Sequence, residues 1–195
     1  MNTKGLPIII TKETEGQFKR DGVPFNPGAF EKLIHMVICE QKYLVGKIKT
    51  ITACTPPLHC HAEITFPREG GKPLWDNLEF HIYTDNRYLD EKLIRHEFKH
   101  LADRFDPSMA YYPQIDDGSW DCAMNIAANI SVDVRLAGKG LTREDNQAEF
   151  QKHIEVNDKV SFENLWDDPP LTWRAIEDRA IQLRPLIKKP QRKEQ

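Results

Sequence analysis

The chain has 195 residues, 39% of them hydrophobic and 29% charged, which is enough for one core-bearing globular domain and argues against a disordered chain. A formal charge of -3 argues against a dedicated nucleic-acid surface, and no apolar run approaches the length needed to cross a bilayer. The short apolar stretch at Ile8-Ile9-Ile10, behind a single lysine, is too brief for a secretory signal. The four cysteines are too scattered for a disulfide scaffold, so reduced thiols and a cytoplasmic location are expected.

Residues 1–26 are mixed and turn-rich. Asn26-Pro27 fits an N-cap followed by proline at the first helical position, and Phe30, Leu33, Ile34, Val37 and Ile38 then fall on one helical face to about Cys39. From Tyr43 to Ala53 the alternation has a period of two, which predicts a half-buried strand ended by Pro56-Pro57. Two further strands are predicted at 60–66 and 78–84, joined by a hairpin-length connector from Pro67 to Pro73. Short connections between three strands imply a small, mainly antiparallel sheet.

A helical period returns at Asp90 (Leu93, Ile94, Glu97, His100, Leu101, Phe105) and stops at Asp106-Pro107. After a loop at 111–118, Ser119 is the predicted N-cap of a long helix running to about Ala137 and ended by Gly138-Lys139-Gly140. Thr142 to Asp145 resembles a capping box opening a short helix, residues 167–170 form a break, and Thr172 caps a last helix. The reading is α+β: an N-terminal helix, a small sheet, the helix at 90–106, a second core helix and C-terminal helices. It forms a single domain over 1–185 with a polar, flexible tail at 186–195.

Chemistry concentrates at His96-Glu97-Phe98-Lys99-His100. Positions four apart share a helical face, so His96 and His100 can present two imidazoles to one zinc ion. Glu97 is turned about 100° from His96, within reach of a water activated by that metal, and can act as general base in its attack on a carbonyl. The plain alternative is a surface helix carrying two histidines and a glutamate without a metal.

Leu93-Ile94-Arg95-His96-Glu97-Phe98-Lys99-His100-Leu101 resembles the active-site helix of the HExxH zincin metallopeptidases. The order of helix, strands, motif helix and second long helix is similar to the minimal core of the thermolysin-like, or gluzincin, branch. The resemblance covers about residues 78–137. It implies a Zn2+-dependent hydrolase of peptide or protein substrates, with the strand at 78–84 as an edge along which an extended substrate pairs.

The third ligand departs from the family pattern. A metzincin would place glycine at 103 and histidine or aspartate at 106, whereas this chain has Asp103 and Asp106. Where the thermolysin-like branch carries a ligating glutamate on the next helix, this chain has Asn129, with Asp133 one turn later. Asn125, Asn129 and Asp133 form a polar stripe on an otherwise apolar helix, and such a stripe needs either a polar partner or water. Asp133 is the first candidate for the third ligand, with Asn129 as an orienting amide. Asp103 could ligate or orient a histidine; Glu149 and, more remotely, Glu177 are rivals. Tyr112 or His81 could donate to an oxyanion, or simply pack. Cys54, His59, Cys60 and His61 match no standard zinc module and read as core cysteines and surface histidines rather than a second site; the four tryptophans read as packing anchors. A regulatory or catalytically inactive zinc-binding module is the alternative function.

Overall fold

The computed structural model describes residues 6–54, 63–65, 68–69, 72–73, 77–81, 91–112, 121–154 and 159–188; for 54, 63–65, 68–69, 72–73, 77–81 and 159–160 the description is of the backbone. The chain divides into two compact units, 1–105 and 106–195. The overall class is α+β.

The first unit opens with β1 (Ile8–Ile10), followed by α1 (Lys12–Arg20) and α2 (Pro27–Glu40). Thr11 caps α1 by accepting from the Thr14 N–H, and Asn26 does the same for α2 through the Ala29 N–H, with proline in the first turn. Then come β2 (Thr50–Cys54), β3 (Glu63–Thr65), β4 (Arg68–Glu69), β5 (Lys72–Pro73), β6 (Asn77–His81) and α3 (Glu91–Phe105). The main sheet has the order β1-β2-β6-β3. β1, β2 and β6 are parallel, and β3 joins the edge antiparallel to β6.

This corrects the antiparallel expectation. α1 and α2 form the crossover that lets β1 and β2 run parallel, and β2 pairs with β6 rather than with its sequence neighbour β3. β6 is consequently an interior strand, not the edge expected of the segment 78–84. The predicted connector holds the small antiparallel pair β4–β5. Residues 55–62 and 82–90, with parts of the predicted strands and the His59-Cys60-His61 cluster, lie outside the described residues.

The strand predicted from Tyr43 is shorter than the alternation suggests. Residues 42–47 are turns, closed by Leu44 N–H to Gln41 C=O (2.8 Å) and Lys47 N–H to Leu44 C=O (3.0 Å), with Gly46 at φ +76°. Leu44 and Ile48 are both buried, so a turn-like spacing of four and not a strand spacing of two seats them. The core of this unit joins Phe18, Ile34, Val37, Ile38, Ile51 and Ala53 to Ile94, Phe98 and Leu101 of α3.

The second unit is helical among its described residues. A 3-10 turn (Pro107–Met109) precedes α4 (Cys122–Arg135), α5 (Arg143–His153), α6 (Lys159–Asp167), α7 (Trp173–Leu183) and a closing 3-10 turn (Arg184–Leu186). Phe150, Phe162, Leu165, Trp173, Ile176 and Leu183 pack with the apolar side of α4. Thr142 and Asp145 complete the predicted capping box, and Thr172 caps α7. The cap of α4 is Asp121, whose carboxylate accepts from the Met124 N–H at 2.9 Å; Ser119 lies outside the described residues. Where the predicted tail begins, Ile187 bridges to Ile154, and Lys188 Nζ donates to the Gln151 and Lys152 carbonyls that end α5. No described helix is long and apolar enough to cross a membrane.

Asp121 also accepts from Arg184 Nε at 2.6 Å. Burial opposes its ionisation, but the Met124 N–H and the Arg184 guanidinium outweigh that and hold its pKa below the ordinary value. Asp121→Ala should destabilise the protein by about 1 kcal/mol, with Asp121→Asn retaining most of the cap. A lowered folded-state pKa contributes stability above the unfolded value, about pH 4, and loses it as pH falls through the folded value. Urea denaturation should therefore show a gap between wild type and D121N at neutral pH that closes in acid. A gap unchanged down to about pH 2 would contradict the charge argument.

Candidate metal centre

α3 carries three kinds of surface. Ile94, Phe98, Leu101 and Ala102 enter the core of the first unit. One turn-edge away, Arg95 is 5% exposed and makes hydrogen-bonded ion pairs with Glu40, the last residue of α2, and with Glu91 on its own helix. Burial acts against the guanidinium's charge, yet the bonds to Glu91 and Glu40 more than offset it and raise its pKa. The third surface holds His96, Lys99, His100 and Asp103.

His96 is 3% exposed, and its Nε2 lies 3.1 Å from Nε2 of His100. The rings meet edge to face, with centroids 4.7 Å apart. Such an approach suits a hydrogen bond between two neutral imidazoles of opposite tautomer. It also fits a shared metal, because two nitrogens on one tetrahedral zinc, each at about 2.0–2.1 Å, lie about 3.3 Å apart. The Nε2–Nε2 separation is therefore within a few tenths of an ångström of that between two nitrogens on one zinc. Glu97 is half-buried beside it.

The rivals for the third ligand have other commitments. Asp103, 1% exposed, accepts from Lys99 Nζ at 2.7 Å, a buried ion pair within the helix. Asp106 caps the 3-10 turn through the Ser108 N–H and hydroxyl. Glu149 pairs with Lys152 and His153, at 2.6 and 2.9 Å. Burial alone would raise its pKa, but Lys152 and His153 pull it below the ordinary glutamate range. Glu177 accepts from the Tyr112 hydroxyl at 2.8 Å and from Arg174 at 3.1 Å. Burial and that carboxylate together push the Tyr112 pKa up, so its proton is committed to Glu177. His81 ends β6.

Asp133 sits near the end of α4 in the second unit, 2% exposed. Its Oδ1 accepts from the Leu141 N–H at 2.9 Å and its Oδ2 from the Asn146 amide at 2.8 Å. It thereby ties the end of α4 to the start of α5. The loop between them passes so close that a Cβ on Gly140 would overlap Asp133 Oδ1 and lie 2.8 Å from Leu136 Cδ1. Along the stripe predicted on this helix, exposure decreases from Asn125 through Asn129 to Asp133. Among the described side chains, no group of three or more His, Cys, Asp or Glu converges as a metal cluster. Sequence reasoning missed the Asp133–Leu141–Asn146 tie, although Gly140 and the polar Asn146 inside an otherwise well-capped helix were its visible traces.

Asp133→Ala would leave the Leu141 and Asn146 donors without their buried acceptor and should cost on the order of 3 kcal/mol. Asp133→Asn, which keeps one acceptor oxygen, should cost less; denaturant midpoints compare the two. Equal midpoints for D133A and wild type would remove Asp133 from this structural role.

Comparison with known protein families, with curated proteins and with solved structures finds no match for the chain.

Proposed function

We propose that the chain is a zinc-dependent metallopeptidase, with His96 and His100 holding the metal and Glu97 as general base. The observation that carries this reading is the 3.1 Å approach of the two Nε2 atoms on one turn of α3. Zinc, when bound, supplies Lewis-acid polarisation of a substrate carbonyl and of water. The core residues of α3 fix the helix's rotation, so the two imidazoles are presented together without a loop to order. Glu97, next to His96 and half-buried, accepts the proton of the attacking water and passes it to the leaving amine. A carboxylate completes the metal site in this reading; Asp133 is the candidate the sequence puts first, and ligating carboxylates are ordinarily oriented by hydrogen bonds such as the two it accepts. The substrate is a peptide or protein, and the setting is a reducing, cytoplasmic one.

A second reading, a zinc-binding module without turnover, has one observation in its favour. Both oxygens of Asp133 already serve the α4–α5 connection, a structural role within the second unit.

Metal analysis and peptide hydrolysis separate the two. The equivalent of zinc held by the α3 histidines should be lost in His96→Ala and in His100→Ala. Glu97→Gln should keep zinc and lose about 10²–10⁴-fold in turnover. Cleavage that survives E97Q would remove Glu97 as base, and zinc-loaded wild type that cleaves no member of a broad peptide library would leave the module reading standing. A metal-free wild type whose stability is unchanged in H96A would remove both.

A further inference from the structure

The parallel pairing of β2 with β6 and the antiparallel pairing of β3 with β6 bring together three residues far apart in sequence. Cys54 is in register with His81, and His81 with Glu63. The three stand in one row across adjacent strands, about 4.8 Å from one strand to the next. The neighbouring row is Ile10, Ala53, Phe80 and Ile64, in which Ala53 is fully buried in the core. Successive residues of a strand alternate between faces, so the Cys54–His81–Glu63 row belongs to the face opposite that core. The next row on that same face is Ile9, Thr52, Glu79 and Thr65, where Ile9 is half exposed.

We propose that the juxtaposition of Cys54, His81 and Glu63 in one row of the sheet marks a site for a thiophilic divalent transition ion such as zinc, separate from the histidine pair of α3. A thiol, an imidazole and a carboxylate are the three side-chain types that bind zinc, and zinc tolerates them in mixed sets. Their placement is fixed by backbone pairing rather than by loops, which is the way to hold ligands in a constant geometry. Glu79 adds a second carboxylate two residues back along β6 on the same face, so the local charge favours a cation. The sequence hides the site because its ligands are spaced at 54, 63 and 81, a pattern that becomes local only once β6 inserts between β2 and β3.

The two sites differ in chemistry, which lets one experiment tell them apart. Cobalt(II) bound by the α3 histidines has nitrogen ligands from that pair, whereas cobalt at Cys54 acquires a thiolate-to-metal charge-transfer band in the near ultraviolet. The full chain, reduced and stripped of metal, is titrated with cobalt(II). The expected result is that wild type shows the band, Cys54→Ser loses it with one equivalent of metal, and the double variant H96A/H100A keeps it. His81→Gln and Glu63→Gln should weaken the band-forming step at least about tenfold; they carry the test if C54S fails to fold by circular dichroism. No band in wild type, a band that persists in C54S, or one lost in Cys60→Ser with C54S unchanged overturns the proposal. Loss of the other equivalent of metal in H96A/H100A bears only on the peptidase reading, which can fail without touching this site.

Discussion

Seating Ile94, Phe98, Leu101 and Ala102 of α3 in the core of the first unit is the constraint on which the proposed chemistry depends. A helix that buries one stripe has its rotation fixed, and with it the direction of every other side chain it carries. His96 and His100 are thrown onto a common turn because the apolar positions at 94, 98 and 101 leave them no other orientation. The ion pairs of Arg95 with Glu40 and Glu91 act on the same degree of freedom: a guanidinium 5% exposed holds α3 against the end of α2 and resists sliding along the helix axis. Lys99 and Asp103 complete the polar side as a buried pair whose charges offset one another.

The second unit is organised around a different polar tie. Asp133 receives the first peptide N–H after Gly140 and the amide of Asn146, so one carboxylate sets the turn from α4 into α5. Serine 131, one turn-edge away on α4, donates to the Pro170 carbonyl at 2.5 Å and fixes the break between α6 and α7. Buried polar groups of α4 therefore specify the path of the chain that follows it, while its apolar residues supply the bulk of the packing.

Local signals in the sequence survive well in the structure. Asn26-Pro27, the Thr142–Asp145 capping box, Thr172 and the stop at Asp106-Pro107 all act through neighbours within one turn, so they are legible without a fold. β1 and α1 were less visible: three isoleucines give no alternation, and Gly16 lowers the helical signal of a segment that Thr11 nevertheless caps. The strand order was illegible for a different reason. β6 inserts between β2 and β3, its partners lying at different distances in sequence, and such pairing leaves no periodic mark in any one strand. The same holds for the candidate centre. The histidine spacing was readable from a single helix, whereas the partners of Asp133 became apparent only once the chain had returned to it across Gly140.

The parallel pairing of β1 with β2 has a kinetic side as well. Ile8–Ile10 pairs with Ile51–Ala53 across both intervening helices, so forming that ladder requires closure of a long loop before its contacts contribute. The helical unit that follows also closes a long loop, since α4 packs against α7 across α5 and α6. The core that seats α3 includes Ile51 and Ala53 of a strand paired with a distant part of the chain, and contacts of such sequence separation form more slowly than local ones.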